Sequence, residues 1–123
     1  MNRIIKITSA AVFFLTSSLA LACDYPDRPH IPDGATASKD ELLAAKSAVQ
    51  GYITAVDDYL QCIEDEETAT IAAMEDPAPE EVQRHNDTLN KRFDAANEEK
   101  ALVGEQFNQQ IRAYNQKLKD SNQ

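Results

Sequence analysis

The sequence predicts an all-α protein: a long antiparallel two-helix hairpin of the coiled-coil type, with an extended proline-rich N-terminal arm packed along the first helix. Three observations predict this fold. Two long stretches show helical periodicity and are of matched length, a short proline-containing break separates them, and three prolines precede the first stretch. A chain of 123 residues supports one small domain.

Residues 1–22 are typical of a secretory signal peptide. Arg3 and Lys6 supply a positive start, an apolar run follows, and Ala20-Leu21-Ala22 forms an A-x-A cleavage site. The short, alanine-rich form of this segment indicates a bacterial signal. We therefore expect a periplasmic protein that is cleaved after Ala22.

Cys23 and Cys62 are the only two cysteines. In an oxidising compartment such a pair favours a disulfide. A second interpretation stays open, because cleavage would make Cys23 the first residue of the mature chain. Ala22-Cys23 matches the end of a bacterial lipoprotein box, whereas Leu21 fits that box poorly. In that case Cys23 would carry a lipid and anchor the protein to a membrane; otherwise we expect no membrane contact.

Residues 23–37 form the arm, whose prolines favour an extended path and whose Asp33-Gly34 pair marks a turn. Fully extended, these residues span roughly 50 Å. The helical distance from Ser38 to Cys62 is about 36 Å. The arm can therefore fold back and bring Cys23 to Cys62. We expect it to lie on a stripe of small residues beside the first helical seam, namely Ala44, Ala48, Gly51, Ala55 and Cys62.

The first helix is predicted over residues 38–75. Ser38 and Glu41 form a capping box, in which each side chain satisfies a backbone amide of the other residue. Apolar side chains then recur at spacings of three and four, at Leu42, Ala45, Val49, Tyr52, Val56, Tyr59 and Ile63. Residues 76–79 are predicted as the turn, with Asp76 as the N-cap of the next helix.

The second helix is predicted over residues 80–119, and residues 120–123 are expected to fray. Its heptad-like seam contains Val82, Asn86, Leu89, Phe93, Ala96, Lys100, Val103, Phe107, Gln110 and Tyr114. Folding the chain about the turn pairs residues whose numbers add to about 155. Near the turn the facing side chains are small or polar, which predicts weaker packing there.

Composition limits both the core and the partners. The net charge is −9, and without residues 1–22 ten basic side chains face 21 acidic ones, a net charge of −11. Such an acidic chain is not expected to bind nucleic acid, because little in it would neutralise phosphates. Only 17 of the remaining 101 residues are Leu, Ile, Val or Phe, which predicts marginal stability that the arm and a disulfide would offset. So small a core leaves homo-oligomerisation open.

The acidic side chains are unevenly distributed, since no Lys or Arg occurs between residues 47 and 83. We call ten acidic residues of this part of the chain the acidic tip: Asp57, Asp58, Glu64, Asp65, Glu66, Glu67, Glu75, Asp76, Glu80 and Glu81. The acidic tip could dock a basic protein, or it could simply keep the hairpin soluble. A weak divalent-cation site is disfavoured because the loop spacing and glycine of a calcium site are absent.

Catalytic motifs are absent from the sequence. His30 and His85 lack partners at metal-ligand spacing, the three glycines are isolated, and no nucleophile has an accompanying base. We therefore expect neither an enzyme nor a cofactor. The sequence favours a non-catalytic structural or protein-interaction module of the periplasm.

The arm and the first helix carry a family resemblance. The pattern Cys23…Pro26…Arg28-Pro29…Ile31-Pro32-Asp33-Gly34-Ala35-Thr36-Ala37-Ser38, followed by Tyr59-Leu60-x-Cys62, resembles a group of small exported helical proteins of Gram-negative bacteria. The second helix is similar only in being helical and heptad-like. No activity is established for that group. The resemblance implies bacterial export and the two-cysteine pattern, and it transfers no functional residue.

Overall fold

Two helices form the hairpin. The computed structural model describes residues 22–123, with α1 over Lys39–Ala72 and α2 over Pro79–Ser121. The two helices pack against each other as an all-helical hairpin, which confirms the predicted fold class. The predicted signal peptide, apart from Ala22, lies outside the described residues. Neither α1 nor α2 contains a stretch apolar and long enough to cross a membrane.

The start of α1 follows the predicted capping box. The Ser38 hydroxyl accepts a hydrogen bond from the Glu41 amide, and the Glu41 carboxylate accepts one from the Ser38 amide over 2.7 Å. The bond from the Ser38 amide, followed by a 2.8 Å bond that the Ser38 hydroxyl donates to the same carboxylate, stabilises the ionised form and lowers the pKa of Glu41. The helix ends at Ala72, three residues before the predicted end.

The connection between the helices differs from the prediction at Asp76. Asp76 has a φ of 49°, in the left-handed region, and it turns the chain instead of capping α2. The N-cap is Ala78, which has no side chain able to bond the free amides, and Pro79 occupies the first turn. The expected N-cap at Asp76 is therefore wrong. The far end of α2 extends to Ser121, two residues beyond the predicted end.

Polar contacts fix the antiparallel register of the two helices. Three of them join facing positions, namely Asp57 with Lys100, Tyr59 with Arg92, and Glu67 with His85. The residue numbers of each pair add to between 151 and 157, against the predicted value of about 155. The fold point derived from the prolines is therefore correct to within a helical turn.

The core lies on one seam of α1 and on two residues of α2. The buried α1 residues are Leu42, Ala45, Val49, Tyr52, Val56, Leu60 and Ile63. Six of these seven were predicted, and Leu60 replaces Tyr59. Tyr59 stays half-buried because its hydroxyl accepts hydrogen bonds from Arg92 at the edge of the core. From α2 only Ala96 and Val103 are buried.

The arm joins α1 at Cys23. The Cα atoms of Cys23 and Cys62 lie 5.7 Å apart, and the two side chains pair at disulfide distance, as predicted. Two residues on, the Tyr25 hydroxyl shares a 2.9 Å hydrogen bond with the Tyr52 hydroxyl, and its ring meets the Tyr59 ring edge to face. Burial, followed by the bond to Tyr25, raises the pKa of Tyr52.

Further along, the arm contacts α2 as well. Arg28 pairs with Glu99 over 3.2 Å and donates to the Gln106 side chain over 2.7 Å. The Gly34 amide donates to the Gln110 side chain over 2.9 Å. The arm therefore lies across both helices.

The small-residue stripe receives the arm only in part. Cys62 pairs with Cys23, and His30 and Pro32 of the arm share a shallow depression with Ala44 and Ala48. A Cβ built on Gly51 would meet nothing within 4 Å, and Ala44 and Ala48 are exposed. The glycine that the arm needs is Gly34 instead, because a Cβ there would overlap the carbonyl oxygen of Gln110. At Gly34 the arm therefore comes close to the backbone of α2.

The arm thus acts as a third packing element without being helical. Ten residues from Cys23 to Asp33 cover roughly 31 Å in an extended proline-type conformation. The twenty helical residues from Leu42 to Cys62 cover about 30 Å, and the contacts of Cys23 with Cys62 and of Tyr25 with Tyr52 place the arm against this stretch. Asp33 closes the turn by accepting hydrogen bonds from the amides of Thr36 and Ala37.

Candidate functional site

The arm divides the hairpin into two regions. The arm-covered region comprises residues 23–63 and 93–121, and the bare region comprises residues 64–92 at the turn. The bare region carries nine acidic side chains and three basic ones, which are Arg84, Lys91 and Arg92. The bare region therefore has a net charge of −6 in 29 residues, whereas the arm-covered region has −5 in 70 residues, so negative charge is densest where the arm does not reach.

The structure places eight of the ten acidic-tip residues in the bare region. Residues 64–67 lie on the last turns of α1, Glu75 and Asp76 lie in the connection, and Glu80 and Glu81 lie in the first turn of α2. Carboxylates in a first turn are favoured by the positive end of the helix dipole.

The other two acidic-tip residues lie apart from this group. Asp57 and Asp58 belong to the arm-covered region, on the order of 20 Å along the axis from the end of α1. Asp57 accepts a 2.6 Å bond from Lys100, which compensates its charge. The ten residues therefore do not form one patch.

Ion pairs leave most of the acidic tip uncompensated. Glu67 contacts His85 and is the only one of the eight bare-region acids within 4.0 Å of a His, Lys or Arg nitrogen among the described residues. The other seven have no cationic partner within 4.0 Å among residues 22–123, and they are exposed except for the half-buried Glu81. Within residues 22–123, no direct ion pair therefore balances these charges.

The cations of α2 beside the acidic tip were not anticipated by the sequence argument. Arg92 stacks its guanidinium 5.7 Å from the centre of the Tyr59 ring and donates to the Tyr59 hydroxyl. The pairing rule of about 155 places residue 92 opposite residue 63, one helical turn from Tyr59, so it indicates the neighbourhood of this contact but not the partner. Arg92 therefore joins α2 to α1 where the two regions meet, and it does not neutralise the acidic tip.

His85 and Glu67 line a shallow open depression near the turn. The depression has a volume of about 380 Å³ and is also lined by Arg84 and Thr88. The Thr88 hydroxyl donates to the Arg84 carbonyl over 2.9 Å, so it is not oriented by His85. The contact between His85 and Glu67 joins α1 to α2 in the part of the hairpin that the arm leaves uncovered.

Metal ligands are not clustered in the described part of the chain. Among residues 22–123, no three His, Cys, Asp or Glu side chains are grouped in a way that could hold a metal ion. The acids of the bare region are spread over two helices and the connection, which separates their carboxylates. The arrangement favours a distributed electrostatic surface over a coordination site.

No protein-family model, curated protein or solved structure matches the chain. Its function is therefore inferred from the geometry and the charges of the described residues.

Proposed function

We propose that this protein is a non-catalytic protein-interaction module of the periplasm, whose acidic turn end docks a partner with a basic surface. One observation carries the proposal. Seven acidic side chains of the bare region have no cationic partner among the described residues, and all but Glu81 are exposed. Such a field attracts positively charged surfaces and speeds their encounter, particularly at low ionic strength.

The shape of the hairpin supports this use of the acidic tip. With 34 and 43 residues, the helices span about 50 and 65 Å. The arm stiffens the part of this rod that is remote from the turn. The acidic end projects beyond the link between Cys23 and Cys62 and lies opposite the C-terminal end of α2, so a partner can approach it from several sides.

The compartment is part of the proposal. The signal-peptide features favour export, and two cysteines paired at disulfide distance suit an oxidising compartment. The pairing also argues against lipidation, because a sulfur bound to Cys62 cannot carry a lipid at the same time. We therefore propose a periplasmic protein that is not anchored through Cys23.

Site-specific photo-crosslinking in the native periplasm tests the proposed docking end. A photoreactive residue replaces Thr68, which is exposed within the bare region, and a second variant carries it at the exposed Asn108 of the arm-covered region. We expect Thr68 to capture a defined basic protein and Asn108 not to capture it. Added salt should reduce the Thr68 product, because screening weakens exposed charges.

A charge-matched pair of triple variants sharpens this experiment. The test variant is Glu64→Gln, Asp65→Asn and Glu66→Gln, and the control is Asp94→Asn, Glu98→Gln and Asp120→Asn. All six positions are exposed, and Asp65 and Asp120 each accept a hydrogen bond from a glutamine four residues earlier. The test variant should lose the crosslink and the control should keep it; equal crosslinking by both would contradict the proposal.

A further inference from the structure

The face of the hairpin that the arm leaves open contains an apolar groove between the start of α1 and the last turns of α2. Its volume is about 350 Å³, and none of its lining residues belongs to the arm. From α2 it is lined by Phe107, Ile111 and Tyr114, and from α1 by Leu43. Leu43 remains 51% exposed, so a large aliphatic side chain at this groove is left uncovered.

Two lysines flank this apolar surface. Lys39 and Lys46 line the groove from α1, two helical turns and about 10 Å apart. Neither has a carboxylate within 4.0 Å among the described residues, and no acidic side chain lines the groove. The groove therefore combines a hydrocarbon surface with two uncompensated positive charges.

We propose that this groove binds a free long-chain carboxylate, with its alkyl chain on the apolar surface and its carboxylate at Lys39 or Lys46. The charge complementarity is local, because the rest of the molecule is acidic. The volume lies in the range of small-molecule sites, which also combine an apolar lining with a few polar groups. The proposal is independent of the acidic tip, which lies at the opposite end of the rod.

Two other occupants fit the groove less well. A protein partner needs an interface of roughly 800 Å² on each side, which is far larger than this groove. A second copy joined groove to groove about a two-fold axis would bring Lys39 and Lys46 of each copy close to the same residues of the other. That arrangement places like charges together around the apolar contact.

Displacement of a fluorescent fatty acid from the mature, oxidised chain by dodecanoate tests the site. Lys39→Gln with Lys46→Gln removes both alternative partners of the carboxylate and should weaken dodecanoate binding roughly fivefold, as expected for the loss of one exposed ion pair. The control is Lys91→Gln with Lys119→Gln, which makes the same charge change outside the groove and should alter binding less than twofold. Dodecanol should bind the unmodified protein roughly fivefold more weakly than dodecanoate does.

The apolar contact is tested with a second matched pair. Leu43→Ala should weaken dodecanoate binding roughly threefold, whereas Leu102→Ala, at a similarly exposed leucine outside the groove, should not change it. Equal affinity of the Lys39/Lys46 variant and the unmodified protein would overturn the proposal. Binding to anionic phospholipid vesicles without binding to free dodecanoate, or a dimer that Leu43→Ala dissociates, would also overturn it.

Discussion

The arm-covered region and the bare region are built from the same two helices but are stabilised differently. All ten buried apolar residues lie in the arm-covered region, from Ala37 to Ile63 and at Ala96 and Val103. Residues 64–92 contain no buried side chain. There the helices are joined by half-buried side chains and by the contact between Glu67 and His85.

This difference shows what the arm contributes. Two helices alone bury little apolar surface, and so small a core is only marginally stable. The arm places Cys23 and Ile31 against the helical core, so that extended chain substitutes for a third helix. The buried core stops at Ile63, next to the link between Cys23 and Cys62, which is also where the cover provided by the arm stops. The surface beyond this point can carry charge.

Loss of the link between Cys23 and Cys62 should lower the stability of the arm-covered region more than any other change considered. The link closes a loop of 39 residues in sequence separation, and chain entropy alone gives a contribution of about 4 kcal/mol. Replacing both cysteines by serine should lower the free energy of unfolding by about this amount in urea titrations followed by circular dichroism. A midpoint equal to that of the oxidised protein would show that the arm does not stabilise the core.

Gly34→Ala should cause the next largest loss of stability. The added Cβ would overlap the Gln110 carbonyl oxygen and force the arm away from α2. Overpacking of this kind costs about 1–3 kcal/mol. Gly51→Ala is the matched control in α1, where the added methyl group meets open space. It should stabilise the protein by about 1 kcal/mol because alanine favours helix. Thermal unfolding should show a lower midpoint temperature for Gly34→Ala and a higher one for Gly51→Ala. Equal shifts of the midpoint would contradict the described path of the arm.

Tyr25→Phe removes the hydrogen bond to Tyr52 and should cost about 1 kcal/mol. The raised pKa of Tyr52 means that the folded state favours the neutral hydroxyl. This contribution is complete below the pKa of an unfolded tyrosine and is lost as the pH rises through the folded value. Absorbance titration should show Tyr52 ionising at a lower pH in Tyr25→Phe than in the unmodified protein. The control Tyr114→Phe should leave the titration of Tyr52 unchanged.

The smallest effect is expected in the connection of the bare region. Asp76 is held at a φ of 49°, which glycine adopts more readily than aspartate. Asp76→Gly should therefore stabilise the protein by roughly 0.5 kcal/mol. Asp58→Gly, at an exposed position inside α1, should instead destabilise it by roughly 0.3 kcal/mol. Urea midpoints of the same sign for both variants would argue against relief of left-handed strain.

The helical part of this architecture was predictable because it depends on periodicity. The α1 seam was predicted except at Tyr59, where a hydroxyl bonded to Arg92 keeps the ring at the core edge. The position of the turn followed from the prolines, and the cysteine pairing followed from reach and compartment. Side-chain chemistry alone therefore specified the hairpin and the end of the arm.

The route of the arm was not predictable from the same features. Small residues on α1 suggested a track, yet the close approach is made by Gly34 to the backbone of α2. A glycine beside an aspartate indicates a turn, and it does not reveal which helix the turn will contact. Likewise Asp76 matched the residue preference of an N-cap, while its left-handed conformation serves the turn. These outcomes depend on tertiary contacts that local patterns do not contain.

Amide hydrogen exchange along α1 tests most directly whether the arm accounts for the difference between the two regions. In the oxidised protein, amides between Leu42 and Ile63 should exchange much more slowly than those between Glu64 and Ala72. Reduction should accelerate exchange in the first segment and leave the second nearly unchanged. Equal protection of both segments in the oxidised protein, or protection of the first segment that survives reduction, would contradict this account.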